Sequence, residues 1–307
     1  MRTVRDPNVM DPSLVGASAA IGNFDGVHRG HQHVIDLARG RGPLGVVTFE
    51  PHPRQFFAPE AGPFRLMNAE SRTSRLAKLG VDVLFELPFD TALSDMSAKD
   101  FACDVLHASL GLTHLVVGAD FRFGKNRIGT AEMLRQIGND AGFDVSVAPL
   151  LKNGLDAVSS TAIRQALSDG DPGTAAEMLG HWHRIEGPVL HGEKRGRELG
   201  YPTINMGLEG LHLPALGVYA VLVDVLDGAH ADTYHGVASL GIRPMFDGSE
   251  PNLETFIFDF TGDLYGAQIS IALIEFLRPE MNFDGISALI AQMDQDSAEA
   301  RRILAAL

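Results

Sequence analysis

The chain has a single cysteine, Cys103, in 307 residues. That excludes an internal disulfide framework and makes a reducing cytoplasm the expected compartment. Cys103 stands among Phe101, Val105 and Leu106, which reads as a small core position rather than a nucleophile. No uninterrupted apolar run approaches the ~20 residues needed to span a bilayer. The opening stretch MRTVRDPNVMDPSLVG has no long apolar region, so no secretory leader is expected. Basic charge is also scarce, with 25 Lys+Arg against 39 Asp+Glu and a formal net charge of −14. An acidic chain is a poor general binder of nucleic acid, whose phosphates must be met by excess positive charge. Any phosphate site must therefore be local, built from a few basic side chains and backbone amides. Two nucleotide signatures are missing as well. There is no G-x-x-x-x-G-K-[ST] loop, and GRGPLG at 40–45 precedes a strand-like run where the dinucleotide fingerprint should follow one. There is no internal repeat and no low-complexity segment.

What is present belongs to a soluble globular protein: 45% hydrophobic and 21% charged residues, on a length that suits two domains. In the first half, strand-like runs at Ala17–Ile21, Leu44–Phe49, Val81–Leu87, His114–Val117 and Val145–Leu150 alternate with helical patterns at His33–Arg39, Ala69–Leu79, Ala98–Leu110 and Ala131–Ala141. This alternation predicts a parallel sheet with helices on both faces, and ligands in such sheets bind beyond the carboxyl ends of the strands. After residue 180 the pattern changes to successive strands: His183–Leu190, Val218–Leu226, Tyr234–Leu240, Thr255–Phe260 and Gln268–Phe276, with one amphipathic helix over Asp284–Leu307. Strands without crossover helices predict an antiparallel sheet or small barrel, and the boundary is expected near Gly180. Residues 181–307 hold 8 Lys+Arg and 18 Asp+Glu, a balance of −10 out of the net −14, so most of the net negative charge lies in the second part.

Directly after the first strand comes GNFDGVHRGH. His28 and His31 lie three apart on an incipient helix, and Gly26 and Gly30 let backbone approach a ligand. Free amides at a helix start attract phosphate, and two imidazoles can donate hydrogen bonds to charge developing on phosphorus. Zinc is the competing reading, although no cysteine or second histidine pair lies nearby to complete a ligand set; an ordinary capped helix is the other. In AVSSTAIRQAL, Ser159, Ser160 and Thr161 offer N-cap hydroxyls and Arg164 lies in the first turn, an arrangement that serves a phosphate chain or merely a cap. GADFRFGKNRIG adds Arg122, Lys125 and Arg127 in a loop after a strand, either a binding loop or a solvated turn.

In the second half, VLHGEKRGRELGYPTIN contains Lys194, Arg195 and Arg197, the only dense basic cluster of the acidic part, bounded by Gly192 and Gly200. It reads as a phosphate-facing loop or a charged hairpin. Thr203 and Asn205, two apart on an extended segment, share a face and offer oxygens suited to Mg²⁺. Glu254 stands at the start of an apolar strand, where a shielded carboxylate can take a proton from a hydroxyl; an edge-strand charge is the plainer reading.

GNFDGVHRGH resembles the H-x-G-H signature of the nucleotidylyltransferase superfamily. Together with TFEPHPRQFF, VVGADFRFGKNRIG and VSSTAIRQAL it resembles the bacterial bifunctional riboflavin kinase/FMN adenylyltransferase (FAD synthetase) family. GRELGYPTIN, PALGVYA, GVASLGIRPMF, LETFIFDFTGDLYG and FLRPEMNFDG resemble, in order, the blocks of its flavokinase domain, so the likeness runs from about Gly16 to the C-terminal helix. The resemblance implies an α/β Rossmann-like nucleotidylyltransferase domain with a parallel sheet over residues 1–180, followed by an antiparallel β-barrel flavokinase domain with a C-terminal helix over 181–307. It implies two reactions, riboflavin + ATP to FMN + ADP and FMN + ATP to FAD + diphosphate. The alternatives are a monofunctional adenylyltransferase with a weakened kinase domain and a non-enzymatic flavin-binding sensor.

By the same resemblance, His28, His31 and Glu254 are catalytic, and Gly22, Phe24, Asp25, Gly30, Ser160, Thr161, Arg164, Gly192, Lys194, Arg195 and Arg197 bind nucleotide or phosphate. Asp120, Phe121, Arg122 and Arg278 contact flavin, while Thr203 and Asn205 hold Mg²⁺. ATP is co-substrate, and riboflavin, FMN and FAD are substrates or products. Expected partners are these small molecules, with no nucleic acid or membrane, in a monomer or weak homo-oligomer. Ile204, Ser239 and Met245 depart from the family pattern, where alanine, asparagine and threonine are usual, and Phe246–Glu254 is short.

Overall fold

The computed structural model describes residues 1–6, 12–153, 156–191, 200–245 and 248–307. By packing, the chain forms two units, one of residues 1–62 and 69–159 and the other of residues 63–68 and 160–307.

The apolar runs of the first unit become β1 (Arg2–Val4), β2 (Ser18–Ile21), β3 (Leu44–Glu50), β4 (Val83–Pro88), β5 (His114–Gly118) and, after the short ribbon β6 (Arg122–Phe123) and β7 (Gly129–Thr130), β8 (Asp144–Ala148). A second ribbon, β9 (Lys152–Asn153) and β10 (Asp156–Ala157), follows. The six long-sheet strands lie in the order β1-β4-β3-β2-β5-β8, every pair parallel. β2 and most of β3 are buried on both faces, which is why they read as continuous apolar runs. The helices are α1 (Arg29–Leu37), α2 (Pro53–Phe57), α3 (Ala69–Lys78), α4 (Thr91–Asp95), α5 (Ala98–Asp100) and α6 (Ala131–Ala141). α5 continues as a π-helix over Phe101–Ser109, and Cys103 on it is half-buried, not in the core as its neighbours suggested.

From β2 the chain builds outward to β3 and β4, then returns to the other side of β2 with β5 and β8. The order reverses between β2 and β5, which makes their carboxyl ends the switch point where such sheets bind ligands. Near the opposite, amino ends, buried His114 bridges Ser18 Oγ at 2.7 Å and Ser146 Oγ at 2.9 Å, tying β2, β5 and β8 together. Burial, and then the charge of Arg41, keep this imidazole's pKa below its ordinary value, so it remains the neutral hydrogen-bonding link.

The second unit contains α7 (Ser160–Ser168), α8 (Pro172–Leu179) and six antiparallel strands: β11 (Arg184–Pro188), β12 (Thr203–Gly207), β13 (Gly217–Val225), β14 (Thr233–Met245), β15 (Gly248–Ile257) and β16 (Gln268–Pro279). Their order is β11-β16-β13-β14-β15-β12, and the Leu190 amide donates to the Asn205 carbonyl at 2.8 Å, so the chain beyond β11 meets β12 and the sheet closes into a barrel. Tyr219, Val221, Val223, Leu240, Leu253, Ile271 and Leu273 fill its interior. Each such side chain contributes about 1.5–3 kcal/mol relative to exposure. On the outside, α9 (Ile286–Leu304) lays Ala300 and Leu304 against Ala220, Phe258, Ala272 and Ile274. β15 begins earlier than its apolar run suggested, so Glu254 sits well inside the strand, not at its start. Residues 63–68 add a parallel bridge, Arg65 to Leu211, and His212 N–H donates to the Arg65 carbonyl at 2.7 Å.

Candidate active sites

In the first unit, the loop from Gly22 to His28 leaves β2 at the switch point. Phe24 and Val27 hold positive φ values of 52° and 43°, a conformation non-glycine residues seldom adopt, and Phe24, Asp25, Val27 and His28 are all buried. The loop is pinned by Gly22 N–H to the Val47 carbonyl and by Thr48 Oγ1 to the Asn23 carbonyl. His28 is the N-cap of α1: its Nδ1 accepts from the His31 backbone N–H at 3.3 Å. α1 therefore starts at Arg29, four residues before the apolar periodicity begins. The two imidazoles stack with centroids 3.6 Å apart and planes 16° apart, and Phe24 packs on His31 at 5.1 Å.

His31 Nδ1 is sealed from solvent and, among the described residues, has no hydrogen-bond partner. Burial, and then the neighbouring His28, hold the His31 pKa well below 6.5. At neutral pH it is an uncharged ring with one polar atom uncommitted. Gly30 lies close against the ring: a Cβ on it would stand 3.1 Å from two atoms of the His28 imidazole, tight enough that the ring would have to give by a few tenths of an ångström. A Cβ on Gly22 would meet only ordinary contacts with Phe24.

The loop after β5 opens beside it. Asp120 and Arg122 are exposed, and Phe121 stacks on Phe123 at 5.4 Å. Lys125 pairs with Asp95 at 2.9 Å, so part of this basic loop is spent on structure. Gly124 has φ 69°, and a Cβ there would come within 2.7 Å of Ala98 backbone. Beyond β3 and β4, Phe56, Phe57 and Phe89 form a T-shaped aromatic cluster joined to Phe49, with Phe57 64% exposed. Periodicity gave no notice of it, since its members come from β3, the short helix α2 and the segment after β4. Buried Arg72 ties these strand ends together, donating to Glu50 at 3.0 Å and Glu86 at 2.9 Å.

Ser160, Thr161 and Arg164 belong to the second unit. Ser160 opens α7, while Arg164 Nε donates to the Phe64 carbonyl at 2.6 Å with its guanidinium over the Phe64 ring. Gly192, Lys194, Arg195 and Arg197 lie outside the described residues.

On the barrel, β12 and β15 pair so that Asn205 faces Glu254 and Thr203 faces Phe256. Thr203 and Asn205 therefore do share a face, and it is the outer one, beside α9. Continuing across the strands, Glu254 faces Ser239, Ser239 faces Val218, and Val218 faces Arg278. Arg278 is committed to α9: it holds buried Asp296 through Nε at 3.0 Å and Nη2 at 2.7 Å. Tyr201, just before β12, donates to Asp294 on the same helix. Asn252 was absent from the expected site, although a second polar residue two positions before Glu254 in an apolar strand is its signature. Its Nδ2 donates to Asn205 Oδ1 at 3.2 Å and to Glu254 Oε1 at 3.4 Å.

The oxygen donors at Thr203 and Asn205 fit a hard cation such as Mg²⁺, which takes few protein ligands and completes its shell with phosphate and water. Among the described residues no group of three or more His, Cys, Asp or Glu is arranged to hold a metal ion.

A doubly wound sheet carrying stacked histidines at its switch point, followed by a barrel with a facing Asn–Glu pair, defines a nucleotidylyltransferase-like domain joined to a phosphoryl-transfer barrel. Comparison agrees in both halves: residues 11–162 match the FAD synthetase family model and residues 179–304 the riboflavin kinase model. The chain belongs to the bifunctional riboflavin kinase/FMN adenylyltransferase family. Curated members are 40% identical in Pseudomonas fluorescens (99% of this chain, 98% of that one) and 38% in Escherichia coli K12 (96% and 95%). The Bacillus subtilis member is 36% identical over 92% of this chain and 91% of its own. A crystal structure from Streptococcus pneumoniae, named macrolide-efflux protein, is 31% identical with a TM-score of 0.84, covering 98% of this chain and 99% of that one. Among the described residues here, no helix is long and apolar enough to cross a membrane.

Proposed function

We propose that the chain carries two successive ATP-dependent transfers onto one flavin. Residues 181–307 convert riboflavin and ATP to FMN and ADP, and residues 1–180 convert FMN and a second ATP to FAD and diphosphate. What supports this division is the separation of two constellations, the His28–His31 stack in one unit and the facing Asn205–Glu254 pair in the other.

In the kinase, Glu254 takes the proton of the ribityl 5′-hydroxyl as its oxygen bonds to the γ-phosphorus and ADP departs. Thr203 and Asn205 hold Mg²⁺, which when bound neutralises phosphate charge. Lys194, Arg195 and Arg197 with Gly192 are assigned to the phosphates by their charge and sequence, and Arg278, braced by Asp296, borders the flavin. In the transferase, a phosphate oxygen of FMN attacks the α-phosphorus of ATP and diphosphate leaves. His28 and His31 donate to the charge that develops there, and Gly22, Phe24, Asp25 and Gly30 shape the loop around the nucleotide. Asp120, Phe121 and Arg122, with the exposed cluster at Phe57, receive the flat apolar flavin ring. The enzyme works in the cytoplasm as a monomer or weak homo-oligomer, without nucleic acid.

The test is a pair of incubations with ATP and Mg²⁺, one given riboflavin and the other FMN, with the flavins resolved by chromatography. FMN followed by FAD is expected. FMN alone would leave only the kinase, FAD from supplied FMN but not from riboflavin only the transferase, and no product would leave a flavin-binding protein without turnover.

A further inference from the structure

We infer that Asn252 is a positioning residue of the kinase, one amide that holds the Asn205 oxygen and the Glu254 carboxylate in a common orientation. The inference rests on the reading of Asn205 as a cation ligand and Glu254 as the base.

The geometry follows from the pleat. Asn252 and Glu254 are two apart on β15 and so project to the same face, while Asn205 on β12 is directly opposite Glu254 and diagonal to Asn252. The Asn252 Nδ2 carries two hydrogens, and two acceptors lie within reach: Asn205 Oδ1 at 3.2 Å and Glu254 Oε1 at 3.4 Å. The reverse orientation would set an amide oxygen against a carboxylate oxygen, so the donor orientation is the one the carboxylate selects.

Two consequences matter for phosphoryl transfer. An asparagine amide binds a cation only through oxygen, and a donor fixed on Oδ1 turns the Asn205 amide with that oxygen toward the Glu254 side. An amide oxygen has two lone pairs and a carboxylate two oxygens, so accepting from Asn252 is compatible with binding a cation and a hydroxyl. Glu254 is held at the same time, so ligand and base keep one relative position before substrate arrives. Preorganisation of this kind acts on the chemical step more than on capture of the flavin.

The test uses the full chain carrying Asn252→Leu, which removes both donors at similar size, with Asn252→Ser as a milder companion. For Asn252→Leu, kcat of FMN formation should fall about tenfold, the effect of losing one positioning contact. KM for riboflavin should stay within about twofold, as expected when uniform binding is untouched. As a readout apart from turnover, ADP affinity is titrated calorimetrically with Mg²⁺ and with EDTA. The Mg²⁺-dependent gain should shrink severalfold in both variants, while riboflavin fluorescence quenching persists. Retention of kcat and of the full Mg²⁺-dependent gain by Asn252→Ser would overturn the inference, as would a loss confined to riboflavin binding. Glu254→Gln separates the two levels. Full kinase activity in that variant would overturn the base assignment itself, whereas its inactivity beside normal Asn252 variants would overturn only the role given to Asn252.

Discussion

The imidazoles of His28 and His31 lie face to face, 3.6 Å between centroids, with the His28 Nδ1 lone pair already accepting the His31 amide. Burial, and then the neighbouring His28, keep the His31 imidazole neutral. The helix cap and the proposed catalytic donor are thus one residue.

His28→Ala should lower FAD formation from supplied FMN at least ~100-fold, the scale of losing a donor to a developing oxyanion. FMN formation from riboflavin should hold within about twofold, as expected for an independent site. Glu254→Gln should do the reverse, and chromatography of both reactions with each variant gives the comparison. A variant that folds yet loses both activities would contradict the two-site assignment.

Gly30→Ala should act through His28. The added Cβ would stand 3.1 Å from the imidazole, so the ring must shift. Adenylyl transfer should fall about tenfold or more, as small displacements of reacting groups do. Circular dichroism should be unchanged, because alanine suits a helix start better than glycine.

Acid should weaken the barrel through His183, which burial first, and then His181 and His212, lower to about 3. The unfolded chain takes up this proton near pH 6.5 and the folded chain does not, so stability is lost as pH falls from about 6.5 toward 3. At pH 5 the loss from this group is about 2 kcal/mol. His183→Gln should flatten the fall in unfolding free energy between pH 7 and 5 by that amount, read from denaturant titrations at the two pH values. His31, shifted the same way, should add an acid-dependent loss in the first unit.

Asp296→Ala should destabilise the barrel by about 3 kcal/mol or more, because it strands the Arg278 guanidinium with most of its surface buried. The double variant Arg278→Met, Asp296→Leu should recover most of that loss in a denaturant titration, since an apolar pair of similar volume carries no uncompensated charge.

Much of the fold was legible in the sequence because strand burial follows apolar runs. β2, β3, β5 and β8 all fall within a few residues of expectation, and the H-x-G-H histidines led directly to the switch point. β1 escaped notice, being three residues of RTV with no apolar run. The π-helical winding of Phe101–Ser109 was equally hidden, since a regular apolar pattern does not distinguish it from α-helix. Site residues that act through partners were the least legible. Nothing near Arg278 in the chain announces Asp296, eighteen residues later on α9, and Asn252 acquires meaning only when β12 is laid against β15.

The six residues 63–68, which leave the first half of the chain to pair with Leu211, also set how the protein can be divided experimentally. A fragment cut at residue 160 keeps every barrel strand yet forfeits the Arg65 bridge and the Phe64 carbonyl that receives Arg164. Poor behaviour of such a truncation would then report a missing piece of its own fabric, and says nothing about traffic between the two reactions. A fragment with residues 63–68 transplanted ahead of it on a short tether tells those explanations apart.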